Sequence, residues 1–142
     1  MAESGREHRC LAAAVGLTLT LAISTLAEAR SPRVEYLLNC GGCHRADGAG
    51  TPGKVPALKG QMGSFLRVPG GRNYLVQVPG TAQSSLDDDG VAAVLNWMLK
   101  EFSAKELPAD FTPYTGMEIS RIRRPLINAG EVRRRLVSMF EN

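Results

Sequence analysis

Cys40-Gly41-Gly42-Cys43-His44 restricts what this chain can fold into more than any other stretch of it. Two thiols three positions apart with a histidine directly after them form the attachment pattern of a c-type haem. The chemistry requires that spacing. Each sulfur adds across one vinyl group of the porphyrin, and the turn between them sets the adjacent imidazole under the iron as an axial ligand. Gly41 and Gly42 carry no side chain to clash with a backbone that must run along the porphyrin edge.

The same five residues have other readings. A zinc site needs about four N, S or carboxylate ligands. The chain holds three cysteines and two histidines, of which Cys10 and His8 fall in a segment expected to be removed. Cys40, Cys43 and His44 are then one ligand short unless a carboxylate joins them. A thioredoxin-like redox pair belongs beside a strand–helix–strand pattern, and no strand pattern precedes residue 40. A plain structural disulfide is the least demanding alternative.

Residues 1–29 read as an export signal. Arg6 and Arg9 give a basic start, the run from Leu11 to Leu26 is apolar apart from Gly, Ser and Thr, and Ala27-Glu28-Ala29 is a small-x-small cleavage pattern. An uncleaved anchor competes with this, but the run is rich in Ala and Thr and makes a weak membrane span. Cleavage after Ala29 leaves 113 of the 142 residues, enough for one small domain. Removing Arg6 and Arg9 from the 17 basic residues, and Glu3, Glu7 and Glu28 from the 14 acidic ones, leaves a net charge of +4. That charge can steer docking onto an acidic partner. No basic stripe with interleaved aromatics points to nucleic acid. Membrane contact is expected only through the signal segment or a basic tail.

Along the expected mature chain, short helices alternate with loops. Ser31 caps a helix that has Pro32 at its first position, and Val34, Leu37 and Leu38 mark an apolar face leading into Cys40. Gly41 to Gly71 holds nine glycines and three prolines, too many for regular structure. Asn73 to Val78 predicts a turn of helix stopped by Pro79-Gly80. Ser85-Leu86-Asp87-Asp88 fits a capping box. Behind it Val91, Val94, Leu95, Met98, Leu99 and Phe102 make one apolar stripe over three turns.

Two helices, a haem motif at the end of the first, and a glycine-rich loop ending in proline and leucine between them resemble the single-haem class I cytochrome c family. The likeness spans Arg33 to about Phe102. It implies an all-α fold: a small cytochrome c-like domain of short helices and glycine- and proline-rich loops around one covalent haem c and its iron. The domain is expected over residues 30–107, with a helical C-terminal extension over 108–142. In the family the first and last helices cross, which sets Val34, Leu37 and Leu38 against the Val91–Phe102 stripe. Asp47 to Gly53 is similar to the loop after the haem histidine. Val55-Pro56-Ala57-Leu58 is similar to the element whose proline carbonyl orients that histidine, so the resemblance gives Pro56 this role toward His44.

The chain departs from the family on the loop before the last helix, Val78 to Ser85, where a distal methionine is expected and neither Met nor His occurs. Met62, Met98, Met117 and Gln83 are the residues considered for the sixth iron position, and a five-coordinate haem is the alternative. In the extension, Leu107 to Tyr114 reads as extended chain. Thr115 caps a helix with Arg121, Arg123 and Arg124, ended by Pro125, and Glu131 to Phe140 forms another with Arg133, Arg134 and Arg135. These arginines read as a solvated face or as a docking surface.

The resemblance implies a periplasmic electron carrier and not an enzyme. Its partners would be redox proteins such as a periplasmic dehydrogenase or a terminal oxidase. A haem enzyme or ligand sensor with an open sixth position is the alternative.

Overall fold

The apolar stripe beginning at Val91 organises the molecule. In the computed structural model, which describes residues 31–124 and 127–141, it lies on the longest helix. Nine helical segments occur among the described residues. They are α1 (Pro32–Asn39), α2 (Gly41–His44), a 3-10 turn (Met62–Arg67), α3 (Gly71–Gln77), α4 (Pro79–Ala82), α5 (Asp88–Ser103), a 3-10 turn (Ala104–Glu106), α6 (Gly116–Ile122) and α7 (Ala129–Phe140). No strand accompanies them in this part of the chain, only the bridge Thr51–Val55. The fold is all-α. The export signal and the Pro125 helix stop lie outside the described residues.

α5 buries Val91, Val94, Leu95, Met98 and Leu99, as its 3.6-residue period requires. It starts two residues later than a Ser85 cap would place it. The Asp87 carboxylate accepts from Gly90 N at 2.7 Å, whereas Ser85 Oγ is turned to Asn39 Oδ1 at 3.3 Å. A carboxylate is the stronger acceptor for the unpaired amides of a first turn, and its charge suits the helix dipole there.

α1 crosses α5, but not with the face anticipated. Val34, Leu37 and Leu38 are exposed, and Tyr36 is fully buried. Its ring meets Trp97 and Phe102 at centroid separations of 5.2 and 5.1 Å, and its hydroxyl donates to the Arg45 carbonyl. Burial pushes the Tyr36 phenol up to about 12, with Cys40 and Asp47 adding to it, so it stays protonated and donating. One aromatic residue therefore outweighs three aliphatic ones, because it fills a deep site and still satisfies its polar end. Gly48 makes the approach possible: at φ +71°, a Cβ there would lie 2.9 Å from the Phe102 ring.

The helix over this stretch, α3, ends at Gln77 with Val78 as its cap, just before Pro79 as expected; Pro79 then starts the single turn α4 as its first residue, the position where a missing N–H costs nothing. The chain beyond Leu107 is built into the same core. Tyr114, Ile119 and Leu136 are 3%, 0% and 1% exposed. Asn96 on α5 imitates a strand neighbour for the extended segment, giving Nδ2 to Tyr114 O at 2.9 Å and taking Tyr114 N at 2.8 Å. Arg72 on α3 clamps Glu118 on α6 through two nitrogens. Arg123, expected on a solvated face, is half-buried and donates to the Ala82, Ser84 and Leu86 carbonyls and to Asp88.

Candidate functional site: an apolar cavity at the cysteine–histidine turn

α1 ends at Asn39 because the next turn tightens: the amides of Cys43 and His44 both bond to Cys40 O, at 3.2 and 2.9 Å. This places Cys40 at the N-cap of α2, Cys43 within it and His44 at its end. Both thiols are free, Cys40 half-buried and Cys43 exposed. Burial pushes the Cys40 thiol above its ordinary value, and Cys43 adds to the shift. Neutral thiols are what an addition to a vinyl group starts from, and no disulfide occupies the pair.

All three residues border a cavity of about 290 Å³. Its wall is apolar, with Leu58, Phe65, Leu75, Val78, Leu95 and Met98 among the side chains on it. The glycine-rich loop brings Pro56 to the same rim. Gly50 has φ +65° and sits against the Val55 and Pro56 carbonyls, where no side chain fits. His44 Nδ1 is 3.1 Å from the Pro56 carbonyl oxygen. A carbonyl only accepts, so Nδ1 carries the proton in this contact and Nε2 keeps its lone pair. Burial pushes the imidazole below its ordinary value; the Pro56 carbonyl opposes the shift, and the Arg133 guanidinium adds to it. A neutral imidazole with a fixed tautomer is the form that binds a metal.

The residues fit a haem on two grounds: the wall suits an apolar disc, and the rim offers two free thiols and one basic imidazole nitrogen. A zinc site has less support, since among the described residues no group of three or more His, Cys, Asp or Glu side chains gathers to hold a metal ion. The structure thus brings Cys40, Cys43, His44 and Pro56 together. It also separates the residues considered for the sixth position. Met62 and Met98 both line the cavity and are 3% and 5% exposed. Met117 is 67% exposed on α6, and Gln83 borders a different depression beside Arg123. Sequence reasoning missed Ala129 and Arg133, which α7 contributes to the cavity wall. The only signal was the spacing of Arg133 from Leu136 and Val137, which puts it on the inner side of that helix.

No family model matches the chain. Two curated proteins do, both named cytochrome c-552 and both from Thermus thermophilus. One is 28% identical over 130 residues, covering 79% of this chain and 88% of the relative. The other is 29% identical over 111 residues, covering 66% of this chain and 85% of the relative. A helical frame closed around an apolar cavity, with a Cys-x-x-Cys-His turn on its rim, defines a c-type cytochrome. These relatives and the site support a class I c-type cytochrome family for the chain.

Proposed function

We propose that the protein is a periplasmic cytochrome with one covalent haem c, carrying single electrons between redox partner proteins. The observation that carries this reading is the neutral His44 imidazole, held by Pro56 at the edge of an apolar cavity beside two free thiols. Cys40 and Cys43 would hold the haem, each thiol adding across one vinyl double bond with sulfur to one carbon and hydrogen to the other, so that no atom would be lost. Pro56 keeps the His44 tautomer with Nε2 toward metal ligation. Bound there, the haem supplies an iron that alternates between ferric and ferrous by one electron. The chain's part is to exclude water with the α3 and α5 side chains and to hold the axial ligand still. A small basic protein suits brief encounters with acidic redox partners such as a dehydrogenase or a terminal oxidase.

One experiment tests the whole reading. Protein matured in an export-competent host should carry one haem per chain that survives acid–acetone extraction, and a Cys40→Ser/Cys43→Ser variant should carry none. Extractable haem in the unaltered protein, or stoichiometric zinc, would falsify it. Spectra of Met62→Leu, Met98→Leu and Met117→Leu then identify the sixth ligand. One of the two cavity methionines should turn a low-spin haem high-spin when replaced, and Met117→Leu should change nothing. A haem already high-spin in the unaltered protein, binding carbon monoxide at once, favours instead a haem that meets small molecules directly.

A further inference from the structure

Three arginines among the described residues are half-buried: Arg72, Arg123 and Arg133. A guanidinium withdrawn from water calls for a carboxylate partner or a full set of acceptors. Arg72 has Glu118. Arg123 has Asp88 and three backbone carbonyls. Arg133 has neither. Its one hydrogen bond within the described residues runs from Nη2 to the Gln61 amide oxygen at 2.6 Å, and its other N–H donors have no partner among those residues. Its guanidinium also sits 5.2 Å from the Phe65 ring centre. Among the described residues it is the single formally charged side chain on the cavity wall, which is otherwise apolar or neutral.

We infer that Arg133 is a haem-binding residue, the counter-charge for a haem propionate, and that its charge raises the reduction potential. This rests on the haem reading above. The cavity is built for an apolar disc, yet haem also brings two carboxylates, and the wall offers one cation with no carboxylate partner among the described residues. A planar guanidinium with a free fork of donors matches a carboxylate in geometry as well as charge. The same charge beside the iron favours the ferrous state, which carries one positive charge fewer than the ferric. α7 is therefore part of the haem site, and Arg133 differs in kind from its exposed neighbours Arg134 and Arg135.

The test compares holoproteins of equal net charge. At a fixed ambient potential, Arg133→Gln should lower the ratio of reduced to oxidised protein about tenfold, which is ~59 mV for a one-electron couple. Arg135→Gln, with the same charge change on the exposed side of α7, should move the ratio less than twofold. Arg133→Lys should recover most of the loss, a rescue that a purely packing role would not give. If Arg133→Gln does not accumulate, Arg133→Met gives the same comparison, since its straight apolar stem keeps the Phe65 contact. A haem-bearing Arg133→Gln or Arg133→Met protein with the unaltered ratio, or equal shifts at positions 133 and 135, overturns the role of Arg133 alone. Failure of the unaltered chain to hold covalent haem overturns the haem reading itself.

Discussion

Gly71 and Gly130 are both glycines of a helix's first turn, yet their surroundings reverse what alanine would do. A Cβ on Gly71 would run into the Phe65 carbonyl, which belongs to backbone and cannot swing away. A Cβ on Gly130 meets nothing nearer than 3.8 Å. Gly71→Ala should therefore destabilise by roughly 1–3 kcal/mol or more. Gly130→Ala should stabilise by about 0.5–1 kcal/mol, because the unfolded chain loses freedom. Urea midpoints of the two variants check the pair, and shifts of the same sign would contradict the packing described at Phe65. Such opposite fates cannot be read from the sequence, which shows two glycines near helix starts. The cysteine–histidine turn was legible because covalent chemistry fixes residue type and spacing, and its Pro56 neighbour only through the family resemblance. Tyr36 was not. The i, i+3, i+4 pattern of Val34, Leu37 and Leu38 named a face, but a helix of eight residues is oriented by what its neighbours can receive. Here the Trp97–Phe102 pocket receives a phenol ring.

Between elements, the contacts that matter are polar and specific. Arg72 holds α3 to α6 through Glu118 and donates a further bond to Thr112 O at 2.8 Å. Its guanidinium lies 4.0 Å from the Tyr114 ring centre, and the Tyr114 hydroxyl returns a bond to Arg72 O at 2.8 Å. Hydrogen bonds from Arg72 hold the Glu118 carboxyl below its usual value of 4.5. A depressed carboxylate contributes stability that is fully present above its unfolded pKa and is lost as pH falls through its folded pKa. Stability should thus begin to drop below about pH 4.5 and fall further in more acid solution. Glu118→Gln should remove that part of the pH dependence, leaving a cost at pH 7 of roughly 0.5–1 kcal/mol for this partly exposed pair. Denaturant midpoints from pH 7 to pH 3 decide it, and an unchanged slope in Glu118→Gln would assign the acid sensitivity elsewhere. The α5 stripe was legible over its whole length from periodicity. The Arg72–Glu118 clamp was not, since it joins residues 46 positions apart, and in the sequence Glu118 reads only as the end of the Thr115 helix cap.

At the scale of the molecule, the C-terminal segment is part of the core. The resemblance to a minimal cytochrome domain covered residues up to about Phe102, and what followed read as an extension. In the structure Ile119 and Leu136 are as buried as Leu95 and Leu99, and they join the same hydrophobic cluster. Ile119→Ala should cost about 2–5 kcal/mol, the range for a large side chain cut back in a packed interior. The haem signal and the helical signal should still melt in one transition. If the segment were a loosely held tail, the midpoint would not move. The arginine spacing in the extension could not show this, because it fits an exposed helix as well as one with a single arginine turned inward. What separates the cases is the partner each side chain meets, and that is a property of the folded chain.

The wall of the cavity is completed by residues far along the chain from its rim. His44 stands 89 residues before Arg133, so the wall is finished only when the end of the chain has folded back onto its beginning. Until then Cys40, Cys43 and His44 have no α7 over them. A large, flat molecule destined for the two thiols can meet an open cradle in the unfolded chain and a closed one in the finished protein. Docking of the last helix therefore marks the point after which the thiols are hard to reach.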